Sequence, residues 1–438
     1  MTTTPPAAPA PQAGDVRTIH LSELLKRPIT DAGGESLGRL ADVVVRLRGS
    51  ELPLVIGGVA SVGGREVFVP MEQVSSFDGD VLRLSSAVLD LRHFERRPGE
   101  VLLRADVLGH RLIDVESAHL IRAADLELEQ RGGEWVLTGV DTRRRRGGLL
   151  ALLGRDQAED DRSFREWSAF EPLIGHTSSA VLRGPFARIR GLKPAQIADL
   201  IEEASKEEES EILGQVHADP ELEADVFEEL DEDLAVRLLG ARTDAEIAEV
   251  LSRMRADDAA DAVAELPQAR RQPVLDLMPA GQRTKVLTLM GFNPTSAGGL
   301  MGVDFLALAP TTQVSAALAA VGQSQTLQPE ALTTVHAVDE DGYLLGVAHL
   351  VTLLQADPEA ALADVSDDDP VRVGADTDVV DVAVLMSDYN LITVPVVDER
   401  RHMIGIITVD DVLEATLPSD WRRRETAQPP DAHVGDGP

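Results

Sequence analysis

Residues 394–414 read VPVVDERRHMIGIITVDDVLE and decide how the C-terminal part of the chain folds. A β-branched strand ends at Val397, a polar turn spans residues 398–401, a second strand ends at Thr408, and a helix begins near Asp410. Carboxylates suit the first turn of a helix, and the free backbone N–H groups there can hold an anion or a hydroxylated ligand. Thr408 and the aspartates also fit a simple helix cap, so the pattern is compatible with a ligand site and with a cap alone.

The same pattern occurs earlier in the chain. TTVHAVDEDGYLLGVAHLVTLL at residues 333–354 aligns with ITVPVVDERRHMIGIITVDDVL at residues 392–413, and each stretch follows a predicted helix. Two β-α-β-β-α units are therefore predicted, which we name the first tandem unit (residues 292–357) and the second tandem unit (residues 358–417). Such a pair buries its sheets against each other and leaves a cleft between the copies.

Upstream of the tandem units the hydrophobic period is helical. Four apolar phrases that begin at Ile197, Glu223, Ile247 and Arg271 recur at a spacing of roughly 25 residues, each followed by a second amphipathic phrase. This pattern is typical of stacked helical hairpins. We name residues 193–291 the helical region.

The helical region is strongly acidic. Residues 193–266 contain 23 acidic and 6 basic residues, which is half of the net charge of −34 of the whole chain. A solvated face explains such a charge by default. Yet like charges four residues apart on a helix, such as Asp257 and Asp261, repel each other unless a cation lies between them, so a cation site is the alternative.

The N-terminal part is predicted to be rich in strands. Short β-rich runs separated by glycines and charged turns indicate two copies of a small antiparallel barrel, at residues 18–91 and 95–175. Residues 1–17, rich in Pro and Ala, and residues 418–438 are predicted to be disordered. The fold class is therefore multidomain α+β: small β-barrels, an acidic superhelix of helical repeats, and a tandem α/β pair.

Composition excludes several classes of function. The chain has 438 residues and no cysteine, so disulfides, thiolate metal sites and cysteine nucleophiles are absent. A net charge of −34 argues against nucleic acid and favours cations or basic surfaces as partners. No run of 18 apolar residues is present, so direct membrane insertion is not expected. We expect a cytoplasmic location. No common catalytic motif occurs, and no enzymatic activity is predicted.

The acidic helical repeats, TSAGGLM at residues 295–301, LMSDYN at residues 385–390, and VPVVD and GIITVDDVLE within residues 394–414 together resemble the cytosolic region of the MgtE family of magnesium transporters. The resemblance identifies the tandem units as a pair of CBS domains. The two N-terminal barrels resemble PRC-barrel domains, which are usually protein-interaction modules. In the MgtE family the helical domain and the CBS pair separate when magnesium is scarce and close when it is plentiful, which gates a membrane pore.

The resemblance also implies a set of magnesium ligands. Carried over to this chain, the ligands fall on Asp225, Asp257, Asp261, Asp378, Asp411 and Glu414, on the main-chain carbonyl near Gly299, and on Asn390, where the family more often has Asp. Magnesium prefers six oxygens and keeps several waters, so one or two carboxylates from each of two domains can share a hydrated ion. Without the ion, the facing carboxylates repel.

CBS domains commonly bind adenine nucleotides such as ATP. The pattern of Gly, then Thr or Ser, then Asp for the ribose is kept in the second tandem unit as Gly405, Thr408 and Asp411. The first tandem unit has Thr352 where the ribose carboxylate would lie. One nucleotide site at most is therefore expected.

The leading hypothesis is a magnesium-responsive regulatory protein in which a divalent cation bridges the helical region and the CBS pair. Its barrels would contact a partner, such as a separate metal transporter in the membrane, and the CBS pair would form a homodimer. Two alternatives stay open: an adenine-nucleotide sensor or scaffold without an ion site, and the cytosolic subunit of a magnesium transport complex.

Overall fold

The structure is a computed structural model that describes residues 17–49, 51–77, 80–85, 94–97, 99–143, 164–173, 188–324 and 327–417. The chain forms two compact units, Met1–Asp231 and Glu232–Pro438. The boundary between them lies inside the predicted helical region. The predicted disordered arm, apart from residue 17, and the predicted disordered tail fall outside the described residues.

Strands dominate the first unit. They are β1 (Thr18–His20), β2 (Pro28–Thr30), β3 (Ser36–Arg48), β4 (Glu51–Val62), β5 (Arg65–Pro70), β6 (Val74–Ser76), β7 (Leu82–Leu84), β8 (Glu100–Leu102), β9 (Arg111–Asp114), β10 (His119–Arg122), β11 (Asp125–Arg131), β12 (Glu134–Asp141), β13 (Phe164–Glu166) and β14 (Phe170–Pro172), with a short helix α1 (Leu21–Leu24) after β1. An 11-stranded sheet holds most of them, and β9, β10 and β14 form a second sheet.

The two predicted barrels share this large sheet. Its order is β1-β11-β12-β4-β3-β2-β7-β6, so β1 from the first predicted copy pairs with β11 from the second. Ile19 lies opposite Leu128 in that antiparallel pair, and Val136 lies opposite Leu54 where β12 meets β4. The structure thus differs from the two separate barrels that were predicted. The pairing of β1 with β11 covers the edge of β11 and buries Ile19, which favours the shared sheet.

The core of the first unit is built mainly from aliphatic side chains. Leu126, Leu128 and Leu137 are fully buried on β11 and β12, and the rings of Phe77 and Trp135 pack with centroids 5.3 Å apart. Each fully buried side chain of this size contributes about 1.5–3 kcal/mol. The low aromatic content is therefore compensated by the number of branched aliphatic residues.

Eight helices lie between residues 194 and 289. They are α2 (Pro194–Glu203), α3 (Lys206–Val216), α4 (Pro220–Glu229), α5 (Glu232–Gly240), α6 (Asp244–Leu251), α7 (Ala256–Glu265), α8 (Gln268–Leu277) and α9 (Ala280–Leu289). Ser205 and Thr243 begin α3 and α6 with capping boxes, in which each side chain accepts from the backbone N–H three residues later. Paired short helices at this spacing confirm the prediction of helical hairpins.

The tandem units form the rest of the second unit. The first contains α10 (Ala297–Leu300), β15 (Ala307–Leu308), α11 (Val314–Gln323), β16 (Thr334–Val338), β17 (Leu344–His349) and α12 (Leu350–Gln355), and the second contains α13 (Leu362–Val365), β18 (Val373–Gly374), α14 (Val379–Tyr389), β19 (Thr393–Val397), β20 (Met403–Thr408) and α15 (Val409–Thr416).

The two tandem units repeat the same pairing. In each, a short strand pairs in parallel with the middle strand, which pairs antiparallel with the last strand. A register shift falls at the equivalent place in both, between Ala337 and Val338 and between Val396 and Val397. Thr334 and Thr393, each at the start of a middle strand, share a hydrogen bond of 2.9 Å between their hydroxyls. The predicted tandem repeat is thus evident in the backbone.

Among the described residues, the structure contains no helix long and apolar enough to cross a membrane.

Candidate functional site

Residues 394–414 position the carboxylate of Asp411 through a helix cap. Thr408 is the N-cap of α15, and Asp411 accepts hydrogen bonds at Oδ2 from the Thr408 N–H and from Thr408 Oγ1, both at 2.8 Å. Both side chains are buried. The cap holds Asp411 in one orientation and leaves its Oδ1 atom available to a group from another element.

That group is Arg255, which immediately precedes α7 of the helical region. Its Nη1 atom lies 3.3 Å from Asp411 Oδ1, and its Nε atom donates to Asp258 Oδ2 at 2.6 Å. Asp411 is mostly removed from water, and burial together with the nearby Asp257 raises its pKa to about 6. An ion pair therefore joins α7 to α15 within the second compact unit.

Asp257 lies beside this pair in the first turn of α7. Its side chain is only 8% exposed. Burial raises the pKa of Asp257 above its usual value, and the negative charge of Asp304 acts in the same direction, while Arg255 opposes both. A buried carboxylate of this kind is costly to ionise without a cation.

Asp261 lies one turn further along α7. Although its side chain keeps contact with solvent, the surrounding protein, followed by the charges of Asp257, Glu232 and Glu265, raises its pKa to about 6. Asp257, Asp261 and Asp411 thus share a rise in pKa, and Asp257 contributes to the rise at both of the others. We name these three residues the carboxylate cluster.

A second ion pair joins the helical region to the tandem units. Lys285 on α9 places Nζ 2.6 and 2.8 Å from the two carboxylate oxygens of Asp304, which follows α10. Both side chains are partly exposed, so the pair contributes little, about 0–1 kcal/mol. It nevertheless locates Asp304 near the carboxylate cluster.

The structure also describes the other predicted metal ligands. Asp225 is exposed on α4 in the first compact unit, and Glu414 is exposed on α15. Asp378 is the exposed N-cap of α14, where it accepts from the Val380 N–H at 2.9 Å. Asn390 ends α14 in the left-handed conformation, with φ 53° and ψ 46°.

The conformation of Asn390 gives a structural reason for the amide at this position. Asn tolerates the left-handed region better than most residues do, so it suits the end of a helix.

Gly299 lies in α10 at a close approach of two backbone segments. A Cβ atom at Gly299 would meet the carbonyl oxygen of Asn293 at 2.3 Å. The preceding residues of the same turn bind the second tandem unit: the Gly298 N–H donates to the Ala375 carbonyl and the Ala297 N–H to the Thr377 carbonyl, both at 2.7 Å. The glycine is thus required for packing, whatever its carbonyl binds.

The predicted nucleotide residues are near one another, but their surroundings are filled. A Cβ atom at Gly405 would meet Met301 Sδ at 2.7 Å, which shows how closely the Met301 side chain covers this part of β20. Thr408 and Asp411 bond to each other, and Asp411 also pairs with Arg255. The carboxylate expected to bind ribose is therefore already engaged by protein groups.

The described residues hold no group of three or more His, Asp or Glu side chains close enough to coordinate one metal ion directly. The carboxylate cluster therefore cannot provide a dense, fully dehydrated site in this arrangement. Its chemistry suits an ion that keeps most of its water and takes one or two direct carboxylate ligands, as Mg²⁺ does.

The sequence patterns did not identify Arg255 and Lys285, which contact the tandem units, or Asp258, which pairs with Arg255 at the start of α7. A signal was available for Arg255, because it is one of the 6 basic residues in an acidic stretch of 74 and directly precedes two aspartates. Its partner Asp411 is distant in sequence, so the pairing itself could not be predicted.

Family models match three segments of the chain. The MgtE intracellular N domain matches residues 192–295, the CBS domain matches residues 362–417, and the PRC-barrel domain matches residues 17–86. These matches confirm the three resemblances that the motifs indicated for these segments.

Curated relatives agree with these matches. The magnesium transporter MgtE of Thermus thermophilus is 36% identical over 157 residues, which is 36% of this chain and 35% of the relative. The magnesium transporter MgtE of Bacillus subtilis is 24% identical over 228 residues, which is 52% of this chain and 49% of the relative. The matches thus span from about a third to half of the length of these two relatives.

A solved structure is also similar. The cytosolic domain of the Mg²⁺ channel MgtE in complex with ATP is 29% identical, with 54% of this chain and 96% of that chain covered and a TM-score of 0.48.

Proposed function

We propose that this chain is a magnesium-responsive regulatory protein in which a divalent cation stabilises the contact between the helical region and the second CBS unit. The observation that carries the proposal is the contact of Arg255, at the start of α7, with buried Asp411 on α15, which places buried Asp257 near Asp411, with Asp261 one turn away. Carboxylates from two elements that must come together are a natural place for a cation.

The charge of the carboxylate cluster supports a cation. When ionised, its three members carry three negative charges, and Arg255 provides one positive charge in contact with Asp411. Burial raises the pKa values of all three carboxylates, and repulsion from neighbouring carboxylates adds to the rise. A divalent cation nearby would lower this repulsion and return the pKa values towards their usual range.

The donor set favours magnesium over softer metals. The chain has no cysteine, and the members of the cluster are all carboxylates, which suit hard cations. Asp257, Asp261 and Asp411 would hold the ion, in part through its water molecules. The bound ion would supply positive charge that links the two elements, and the protein would supply a buried position in which that charge is little screened.

The relatives support magnesium as the physiological ion, because the matched segments belong to magnesium transporters. The PRC-barrel segment would contact a partner, and a membrane metal transporter is the partner that we propose. The protein would then act on the cytoplasmic side of the membrane, either as a separate regulator or as a subunit of a magnesium transport complex.

A second copy of the chain is the proposed partner of the CBS pair. Val351 and Leu354 on α12, Val380 and Val384 on α14, and Leu413 on α15 are large apolar side chains exposed on helices of both tandem units. Exposed apolar residues on helices of a repeat commonly mark an interface. Mass measurement by light scattering tests the homodimer directly.

The adenine-nucleotide alternative requires an exchange of partners. ATP would reach the carboxylate of Asp411 only after Arg255 leaves it, and the adenosine would have to displace Met301 from Gly405. Magnesium and ATP are therefore expected to have different effects on the contact between α7 and α15.

The experiment that tests the proposal is a thermal unfolding series in Mg²⁺ from micromolar to tens of millimolar. A ligand present at a hundredfold its Kd adds about 2.7 kcal/mol to the folded state, so the melting temperature of the second compact unit should rise clearly. A rise no larger than that given by a monovalent salt of equal ionic strength would contradict the proposal.

Variants connect the response to the cluster. The double variant Asp257→Asn, Asp261→Asn should lose most of the magnesium response and melt slightly higher than the parent in chelator, because repulsion is removed. Asp276→Asn is the matched control, because Asp276 is exposed on α8, where it accepts from Gln272 of the same helix and lies 3.9 Å from Arg283, away from the carboxylate cluster in sequence. If the double variant responds to magnesium like Asp276→Asn, the cluster carboxylates are only part of a solvated face and do not bind the ion.

A further inference from the structure

The position of Arg255 is unusual for a surface cation. Only 25% of its side chain is exposed, and it contacts three separate segments of the second compact unit. Its guanidinium donates to Asp258 on its own helix and pairs with Asp411 of the second tandem unit. These contacts hold the guanidinium in one position, whereas a solvated arginine on the surface would have none of them.

The third contact comes from the first tandem unit. With the Gln328 amide turned so that its oxygen faces the guanidinium, this oxygen accepts from Arg255 Nη1 at 2.9 Å and from Nε at 3.3 Å. Gln328 lies just before the short turn that leads into β16. The planar guanidinium has five donors in a fixed fork, which is suited to such a three-way contact, whereas an ammonium group is not.

We propose that Arg255 is a built-in cation that competes with the divalent ion for Asp411 and thereby sets the ion concentration to which the protein responds. This inference rests on the proposed function. Without the ion, Arg255 holds α7 on α15, so the contact does not depend on metal alone. When the ion binds, its charge is repelled by the guanidinium and must share the same carboxylate oxygens.

The competition follows from charge and position. Arg255 lies next to Asp257 in sequence, and its charge lowers the pKa of both Asp257 and Asp411. The guanidinium therefore already supplies part of the positive charge with which a metal ion would stabilise these carboxylates. Removing the guanidinium should therefore make the cluster bind a divalent ion more tightly, although the contact without the ion becomes weaker.

The alternative is that Arg255 is only a structural bridge. Loss of a bridge would lower the melting temperature at every magnesium concentration by a similar amount and would leave the midpoint of magnesium binding unchanged or higher. The direction of the change in this midpoint therefore separates the two explanations.

The experiment compares Arg255→Gln with the parent by calorimetric titration with MgCl₂ at constant ionic strength. We expect the midpoint to fall roughly tenfold, within the usual range of coupling between two bound groups, together with a lower melting temperature in chelator. Arg253→Gln is the matched control, because Arg253 is exposed in the turn after α6 and pairs with Glu249 of that helix. Its midpoint should equal that of the parent.

Two further variants complete the test. Arg255→Lys keeps the charge but not the planar fork, so its midpoint should lie near that of the parent and clearly above that of Arg255→Gln. Equal midpoints for the Lys and Gln variants would show that the charge does not set the response. In an Asp411→Asn background, Arg255→Gln should change the midpoint little, because the shared carboxylate is gone.

The outcomes separate this inference from the proposed function. If the parent does not bind magnesium, the proposed function fails. If the parent binds magnesium and Arg255→Gln has the midpoint of the Arg253→Gln control or a higher one, the competition fails and the proposed function stands. Should Arg255→Gln not fold, Arg255→Met removes the charge in its place, and a midpoint equal to or higher than that of the Arg253→Gln control would overturn the inference.

Discussion

Replacing Asp411 by Asn changes the charge of the cluster without changing its shape. The amide oxygen of Asn can still accept from the Thr408 N–H, so the cap of α15 is largely preserved. Asn also imitates the protonated carboxyl. The variant should therefore be more stable than the parent in chelator at pH 7.5 and should lose most of its response to magnesium.

The size of the effect follows from the pKa of Asp411. One pKa unit corresponds to about 1.4 kcal/mol, so the rise of the pKa from 3.8 to about 6 costs the ionised, ion-free protein about 3 kcal/mol at most. The pKa of about 6 already includes the favourable charge of Arg255, but the amide N–H₂ of Asn places a second donor against the guanidinium and offsets part of this gain. The net stabilisation should be about 1–2 kcal/mol, or roughly 3–6 °C in melting temperature for a unit of this size.

The dependence on pH gives the sharper test. Because the folded-state pKa lies above the usual value, the favourable contribution of the protonated carboxyl is fully present below about pH 4 and is lost as the pH rises through about 6. The difference between the variant and the parent, measured by scanning calorimetry in chelator, should therefore shrink as the pH falls from 7.5 to 4.5. A variant that melts lower than the parent at pH 7.5, or a difference independent of pH, would refute the reasoning.

Three other predictions concern protons, packing and nucleotide. Protonation of Asp261 and Asp411 near pH 6 competes with the metal, so the magnesium-induced rise in melting temperature should be smaller at pH 5 than at pH 7.5. Gly299→Ala should lower the melting temperature by several degrees, because its Cβ would lie 2.3 Å from a backbone oxygen, whereas Gly281→Ala, with open space at its Cβ, should not. ATP without magnesium should shift the melting temperature little; a large shift abolished by Asp411→Ala would instead support the nucleotide alternative.

Local patterns predicted much of the fold. The strand that ends at Val397, the helix that begins near Asp410 and the paired short helices follow from periodicity and capping, which depend on residues close in sequence. The pairing of β1 with β11 could not be predicted in this way, because it joins residues more than 100 positions apart and several edge strands would have accepted β1 equally well.

The candidate site was predicted only in part. Asp257, Asp261 and Asp411 came from resemblance and from the repulsion expected on one face of α7, and the structure brings their charges near one another. The role of Arg255 was not predicted, because an arginine near aspartates usually pairs along its own helix, as it does here with Asp258. Its contacts with Asp411 and Gln328 depend on how the helical region packs against the tandem units, which no local pattern encodes.

The most direct test of the central claim measures the distance between the helical region and the second tandem unit as magnesium is added. The chain has no cysteine, so Leu277→Cys on α8 and Ser387→Cys on α14 give two exposed positions for spin labels without a background. The account predicts one narrow distance distribution in magnesium and a broader, longer one in chelator, with the change lost in the Asp257→Asn, Asp261→Asn variant. An identical distribution in magnesium and in chelator would contradict it.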